Sequence, residues 1–430
     1  MKKRDTLILG AGITGLAAGV SSGGEIYESG DIPGGICASY YMTPDGKRVR
    51  SGRDRGSSYR FEKGGGRWIF GADRKTLRFI NSLSPTKVYE RRSAVFLPSL
   101  SLFVPYPIQN HLYYLPKRIR EKAKKEILRS GTGKASTLKD WLAVNFGETL
   151  CRQFFFPFHA LYTAGLYKRA APQDKYKTPV NKDLIERGAS QETAAVGYNA
   201  VFVYPKKGMF DLINRMAGLC RIRYRKRAKA IDLKRKNIVF DDGSEKGFKK
   251  VISTLPLNKM LAMTGLKTGE AGAPFTSVLE INIGARKGKK CPPHHWLYIP
   301  RCKSGFYRVG FYSNVDDSFL PSRRKGAPER VSIYVEKAFK GPVKPGKEAV
   351  DRFCRDAIKE LKAWGFISEV EVVDHTWIET AYTWEYPDSK WRGEALAVLK
   401  GHGIIQAGRY GIWRFQGIAE SIKDGLSVKT

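Results

Sequence analysis

Residues 7–19 read LILGAGITGLAAG, a short apolar run followed by Gly10, Gly12 and Gly15 in the order G-x-G-x-x-G and then by small helix-forming residues. In a strand–turn–helix each glycine has a physical task. The first permits a tight turn, the second lets backbone approach a pyrophosphate, and the third lets helix pack closely on strand, while the helix N-terminus faces the phosphates. Working outward, DTLIL before the turn and LAAGVSS and EIYE after it make a βαβ unit over residues 5–28. Glu28 ends the second strand, where a carboxylate can accept hydrogen bonds from an adenosine ribose. It lies closer to the turn than the usual ~20 residues, so a short crossover helix is expected. The fold class that follows is α/β with a Rossmann-like dinucleotide-binding domain.

FAD is favoured over NAD by what comes next. Gly34-Gly35, six residues beyond Glu28 and followed by Cys37-Ala38-Ser39, lets the chain pass close to the dinucleotide a second time. At the other end, IIQAGRYGIWRFQG (404–417) gives a strand, a Gly408-Arg409 turn and, from Gly417, a closing helix whose N-terminus can stabilise negative charge on a reduced flavin.

Between these ends the pattern changes twice. Residues 76–199 lack alternating apolar runs and are rich in helix formers and aromatics, as in LKDWLAVNF and CRQFFFPFHALYTAGLY. Strand patterns return from 200 (AVFVY, IRYRKRAKAI, NIVFDDG, KVISTL), with DDG at 241–243 as a hairpin turn. From about 275 to 385, SVLEINIGA, HWLYIP, FYRVGFY and RVSIYVE precede a helix, EAVDRFCRDAIKELKAWG, and another strand, VEVVDHTWIET. The reading is a discontinuous FAD domain (1–75, 200–262, 388–430), a mainly helical insert (76–199) and a substrate-side antiparallel or mixed sheet with a packed helix (263–387).

Composition narrows the class further. The chain has 430 residues, enough for two or three cores. Its charge of +35, from 76 Lys+Arg against 41 Asp+Glu, implies attraction to nucleic acid, anionic lipid or phosphorylated substrates. No recognition-helix, zinc-finger or RNA-binding signature supports nucleic acid, whereas peripheral contact with an anionic membrane stays open. The basic runs Lys117–Arg129 and Arg221–Lys236 read as amphipathic elements with one solvated face. The six cysteines show no CxxC pair and no histidine forms a metal pair with a nearby acid, so no metal site is expected. The charged start MKKRD is unlike a signal peptide and no apolar run nears the ~18 residues of a spanning helix, which points to the cytoplasm.

GRYGIWRF (408–415) resembles the C-terminal flavin motif of the UDP-galactopyranose mutase family, particularly its eukaryotic type. Other blocks align in order: GGRWIF (65–70) is similar to the flavin-side glycine loop, VPYPIQNHLYYLP (104–116) to the uridine-binding stretch, YNAVFVYPKKG (198–208) to the strand and turn entering the central domain, and FYRVGFYSN (306–314) to an active-site strand. The resemblance implies an isomerase that converts a nucleotide sugar, UDP-galactose-like, between pyranose and furanose forms for polysaccharide biosynthesis. In such enzymes N5 of reduced FAD attacks the anomeric carbon, displaces the diphosphate and carries the sugar as a covalent adduct while its ring reopens and recloses. Reduction would come from NADH or NADPH.

On that resemblance, Arg308 contacts the diphosphate and Arg409 belongs to the flavin motif, with Gly66 in the glycine loop and Arg67 where the family has a histidine beside the flavin. Arginine suits these roles because its planar fork binds phosphate oxygens in pairs. Gln109 matches a uridine-binding glutamine, flanked by Tyr106, Ile108 and Asn110; Tyr386 matches a tyrosine that reaches the diphosphate; His159 falls at a polar substrate contact. Departures bear on substrate choice. Val203 stands where the family has a second diphosphate arginine, with Lys206 or Lys207 as nearby substitutes, Thr163 replaces a tryptophan, and Phe415 a tyrosine. The alternative is a redox enzyme of the related amine oxidase, protoporphyrinogen oxidase or carotenoid desaturase group, which needs an apolar chamber.

Overall fold

The structure is a computed structural model describing residues 6–49, 57–131, 133–173, 180–193, 200–322 and 329–428. Tyr198 and Asn199, which open the YNAVFVYPKKG block, lie outside the described residues.

The fingerprint folds as strand Thr6–Leu9, a turn and helix Ile13–Ser22. Gly10 takes φ +95°, and a Cβ on Gly15 would lie 1.9 Å from the Gly10 carbonyl oxygen, so helix and turn meet only because both positions are glycine. The helix has ten residues, which accounts for the short spacing to Glu28. Thr6–Leu9 is the centre of a five-stranded parallel sheet ordered Arg221–Arg223, Glu25–Tyr27, Thr6–Leu9, Lys250–Ser253, Ile404–Gln406. Leu7, Ile8, Leu9, Ile26, Val251 and Ile252 are all buried, the near-continuous apolar pattern of a sheet covered on both faces. The closing helix Ile418–Ser427 packs on Ile13–Ser22, bringing Gly425 against the Thr14 carbonyl. The DDG turn forms as expected, with Gly243 at φ +79° between strands Asn237–Phe240 and Glu245–Gly247.

The second large sheet is mixed and has seven strands, in the order Ile367–Thr383, Phe275–Lys287, Arg330–Lys340, Arg308–Phe311, Trp296–Tyr298, Ser93–Leu97, Leu102–Pro105. Neighbours are antiparallel except Trp296–Tyr298, which runs parallel to Ser93–Leu97. Its two faces differ in chemistry. Leu279, Ile281, Ile283, Val309, Phe311, Ile333 and Val335 form an apolar layer under helix Lys347–Ala363. The alternate residues of the same strands, Glu280, Asn282, Arg308, Tyr334 and Glu336, occupy the other face, as the period of two requires.

Residues 76–199 hold more strand than their sequence suggests. Thr86–Glu90 pairs with Val201–Pro205, while Ser93–Leu97 and Leu102–Pro105 join the second sheet. Ser93–Leu97 is buried at every position, so it shows no alternation to read. The rest is helical: Lys117–Leu128, then Leu138–Leu150 continuing through a π turn into Phe156–Tyr162, and Lys182–Ser190. Thr137 and Asp140 start the second of these with a capping box. Lys117–Leu128 buries Ala123 and Ile127 and exposes Lys117, Arg118, Lys122 and Lys125, the solvated basic face expected of it. No helix among the described residues is long and apolar enough to cross a membrane.

Candidate functional site: a flavin cleft and an aromatic chamber

The dinucleotide groove is floored by backbone. Gly12 and Gly34 form a parallel bridge, the Gly34 amide donates to the Ala11 carbonyl at 2.8 Å, and Gly35, at φ +54°, approaches the Gly12 Cα. A Cβ direction from Gly12 meets nothing within 4 Å, the open space a pyrophosphate requires. Glu28 accepts from the amides of Ala11 and Gly30, each at 2.7 Å, which fixes its carboxylate at the strand end beside the turn. Gly408, at φ +75°, donates its amide to Asp424 at 2.6 Å and lies against Thr14, joining the C-terminal motif to the fingerprint helix.

Beyond the groove lies a cavity of about 290 Å³. Gly66, Arg67, Arg409 and Gly417, the residues expected beside a flavin, line it; Arg308, Tyr106, His159 and Phe415 also reach it, and Trp141, Phe158, Tyr162, Trp296, Tyr298 and Trp384 make the remainder strongly aromatic. The side chains of Arg67 and Arg409 each leave a buried Nε with no partner among the described residues. Orphaned donors of this kind beside a backbone-lined groove suit the polar edge of a flavin ring.

The loop carrying Gly66 and Arg67 is held from below by acids that sequence reading passed over. Glu62 accepts from the Arg67 amide at 2.9 Å and from the Tyr204 hydroxyl at 2.5 Å. Glu280, Glu336 and Arg308 form a row across three adjacent strands, because Glu280 pairs with Glu336 and Glu336 with Arg308 in the sheet register. Arg308 donates from Nε to Glu336 at 3.0 Å and from Nη2 to both Glu336 and the Tyr382 hydroxyl, and Tyr307 also donates to Glu336. Gly65, at φ +75°, sits directly on this pair, since a Cβ there would lie 2.7 Å from Glu336 Oε1 and 3.3 Å from Glu280 Oε2. Burial, and next the charge of Glu336, push the Glu280 carboxyl up to about 8. Burial likewise pushes Glu62 up to about 7.

A raised carboxyl has a stability consequence. Between pH 4.5 and about 8 the native state keeps a proton on Glu280 that the unfolded chain releases, so stability falls as pH rises through that window, at up to about 1.4 kcal/mol per pH unit for one site. Glu62 adds to the fall up to about pH 7. Glu280→Gln is expected to flatten the curve, most clearly between pH 7 and 8, in urea melts of the holoprotein; an unchanged slope would contradict the assignment.

The other predicted residues divide. The Arg409 guanidinium lies over the rings of Tyr382 and Phe415, at 4.8 and 4.4 Å, and donates to the Ala381 carbonyl at 2.7 Å. Tyr106 rests on Tyr298 with centroids 4.5 Å apart. His159 is kept neutral by burial, which pushes it down to about 4, and its Nδ1 bonds the Phe155 carbonyl at 2.7 Å. Ile108, Gln109 and Asn110 do not line the chamber; they form a fully buried 3-10 turn whose Asn110 carbonyl packs on Gly188. Tyr386 also stands off the chamber, its ring 5.5 Å from the Arg169 guanidinium. Thr163 bonds the His159 carbonyl at 2.7 Å and so braces the helix behind that side chain. Phe202 and Tyr204 pack inward on Trp68, whereas Val203 between them pairs with the exposed Val88 and lies outside the chamber. Lys206 and Lys207 line a different cavity altogether.

The sequence profile described as flavin containing amine oxidoreductase matches residues 25–421. The chain belongs to that family. Its cofactor is FAD, and the glycine-floored groove with the Arg67 and Arg409 edge is where the residues present would hold it. Among solved structures, a reduced UDP-galactopyranose mutase is 23% identical, with 98% of this chain and 94% of that one covered and a TM-score of 0.82. Cyclohexylamine oxidase from Brevibacterium oxydans is 12% identical (98% and 97% covered, TM-score 0.60), and a CLA-producing fatty acid isomerase from P. acnes 16% identical (99% and 98%, TM-score 0.58). These likenesses establish the shared α/β flavoprotein fold, with its Rossmann-like domain, helical insert and mixed substrate-side sheet.

Proposed function

We propose that this flavoenzyme is a mutase acting with reduced FAD to interconvert pyranose and furanose forms of a nucleotide sugar, UDP-galactose-like. The observation that carries the reading is the placement of Arg308 and Tyr106 in one chamber with the flavin-side residues Gly66, Arg409 and Gly417. The greater likeness to the mutase structure than to the oxidases supports it. When bound, reduced FAD supplies a nucleophile for the anomeric carbon of the sugar. The protein's part is to bind and orient. Arg308, its fork already aligned by Glu336 and Tyr382, holds the departing diphosphate. The Tyr106–Tyr298 pair offers a stacking platform for the base. The aromatic walls exclude water from the reacting carbon, and His159, neutral at working pH, supplies a polar contact without adding charge.

A second reading, oxidation of an amine or other apolar substrate, draws on the aromatic lining and on Glu336, which offsets the Arg308 charge. One experiment separates the two. The photoreduced protein is incubated with UDP-galactopyranose and with UDP-galactofuranose, and products are resolved by chromatography. Interconversion by reduced but not oxidised protein is expected. No interconversion in either direction, together with oxygen consumption on an amine, would replace the mutase reading with the redox one.

A further inference from the structure

A second cavity, of about 1100 Å³, shares no lining residue with the aromatic chamber. Its walls come from one face of strands Ser39–Met42 and Tyr59–Glu62, the first turn of helix Met209–Gly218, and the Lys206–Gly208 turn. Three buried polar groups on those walls lack a partner. Ser39 and Ser58 are 3% and 2% exposed, and neither hydroxyl makes a hydrogen bond among the described residues; Arg60, 6% exposed, leaves its Nε unbonded. Burying such a group unsatisfied is costly, and folded chains retain the cost where a ligand or ion completes the bond.

The remaining features point to an anion. Arg60 is held in place by stacking on Phe319 at 4.0 Å and by a 3.3 Å bond from Nη2 to the Tyr204 hydroxyl. The ten-residue helix Met209–Gly218 starts on the cavity wall at Gly208, which offers no side-chain cap; its Met209 amide bonds the Tyr204 hydroxyl at 3.3 Å and its first turn carries Asp211. Lys206 and Lys207 stand exposed at the rim. The acids and other cations lining the space largely offset each other: Asp211 pairs with Arg215 and accepts from Ser84, Glu329 pairs with Lys287, and Arg330 pairs with Glu371. Among the described residues, Arg60, Lys206 and Lys207 are the cations on these walls that form no salt bridge; Asp317 shares the wall, and Glu62 and Asp316 lie near enough to act on the Arg60 charge.

We propose that this cavity is a second anion site, distinct from the flavin cleft, that binds a small molecule carrying a di- or triphosphate. Ser39, Ser58, Arg60 and the helix N-terminus grip the phosphates, and Lys206 and Lys207 draw the ligand in. The lysine pair of YPKKG thus serves here and not at the chamber. The assignment is independent of the mutase reading.

Titration calorimetry of the holoprotein with inorganic pyrophosphate and tripolyphosphate, at physiological salt, tests it. A site is expected that leaves the flavin spectrum unmoved and is weakened at least tenfold by Lys206→Glu/Lys207→Glu and severalfold by Ser58→Ala. Lys234→Glu/Arg235→Glu, in the turn between strands Ala228–Asp232 and Asn237–Phe240 and outside the cavity lining, should leave it unchanged. Absence of a site, binding indifferent to Lys206→Glu/Lys207→Glu, or an equal loss in the hairpin variant would overturn the proposal, the last because it reports general surface charge.

Discussion

Gly15→Ala is expected to yield protein that carries at most a tenth of the flavin of the parent chain. The added Cβ would lie 1.9 Å from the Gly10 carbonyl oxygen, and both sides of that clash are backbone. Gly10 cannot yield easily, since it is already at φ +95° with 2.6 Å between its own Cβ direction and Thr254 Oγ1. Nor can the helix retreat, because Gly425 of the closing helix lies against it, within 2.3 Å of the Thr14 carbonyl by the same construction. Overpacking of this kind costs about 1–3 kcal/mol and sometimes more, and it displaces the turn that must face the pyrophosphate. Gly12→Ala separates folding from binding. Its Cβ meets no protein atom within 4 Å and projects into the groove itself, so the variant should lose flavin while its flavin-free form melts at the same temperature as flavin-free parent protein. Absorbance ratios and thermal melts read both outcomes. A flavin-replete Gly15→Ala would show that the fingerprint does not cradle the cofactor.

The same stretch shows why part of this molecule was legible in sequence. The glycines of residues 10–15 act on neighbours a few positions away, so their spacing carries their geometry. Glu28 and Gly408 are readable for a similar reason, each lying just past a short apolar strand. The acidic row under the glycine loop is not. Glu280, Arg308 and Glu336 are far apart in sequence and become adjacent only through strand register. The available signal was a carboxylate inside otherwise apolar strands, EIN in SVLEINIGA and VE in RVSIYVE, since a charge in a buried strand demands a partner. Ser93–Leu97 carries no strand signal in sequence because burial on both faces erases the period of two. Val203, Tyr386 and the Lys206-Lys207 pair match motif positions near a substrate, but a motif carries no side-chain direction and none of them lines the chamber. A strand alternates its faces, so Phe202 and Tyr204 pack on Trp68 while Val203, on the other face, is only partly buried.

Arg308→Ala should remove two things at once, and the pair can be separated. On the mutase reading the guanidinium holds the charge that develops on the departing diphosphate. Loss of one such donor lowers turnover about 100- to 1000-fold, so kcat/KM for UDP-galactopyranose is expected to fall by at least two orders of magnitude. The same change strands Glu336, which is 3% exposed and takes hydrogen bonds from Nε and Nη2 of Arg308. Breaking a buried pair from one side costs about 3–5 kcal/mol, visible as a lower melting temperature of the holoprotein. Adding Glu336→Gln removes the stranded charge while keeping an acceptor for Tyr307, so Arg308→Ala/Glu336→Gln should regain most of the lost stability and none of the activity. Arg308→Lys keeps the charge but cannot reproduce the fork that spans Glu336 and the Tyr382 hydroxyl, and it is expected to fall between the two. If activity returns together with stability in the double variant, Arg308 is a structural partner of Glu336 and the diphosphate is held by other residues of the chamber. If Arg308→Ala loses stability yet keeps kcat/KM within threefold, the chamber does not bind a diphosphate through Arg308, and the redox reading of the aromatic lining gains accordingly.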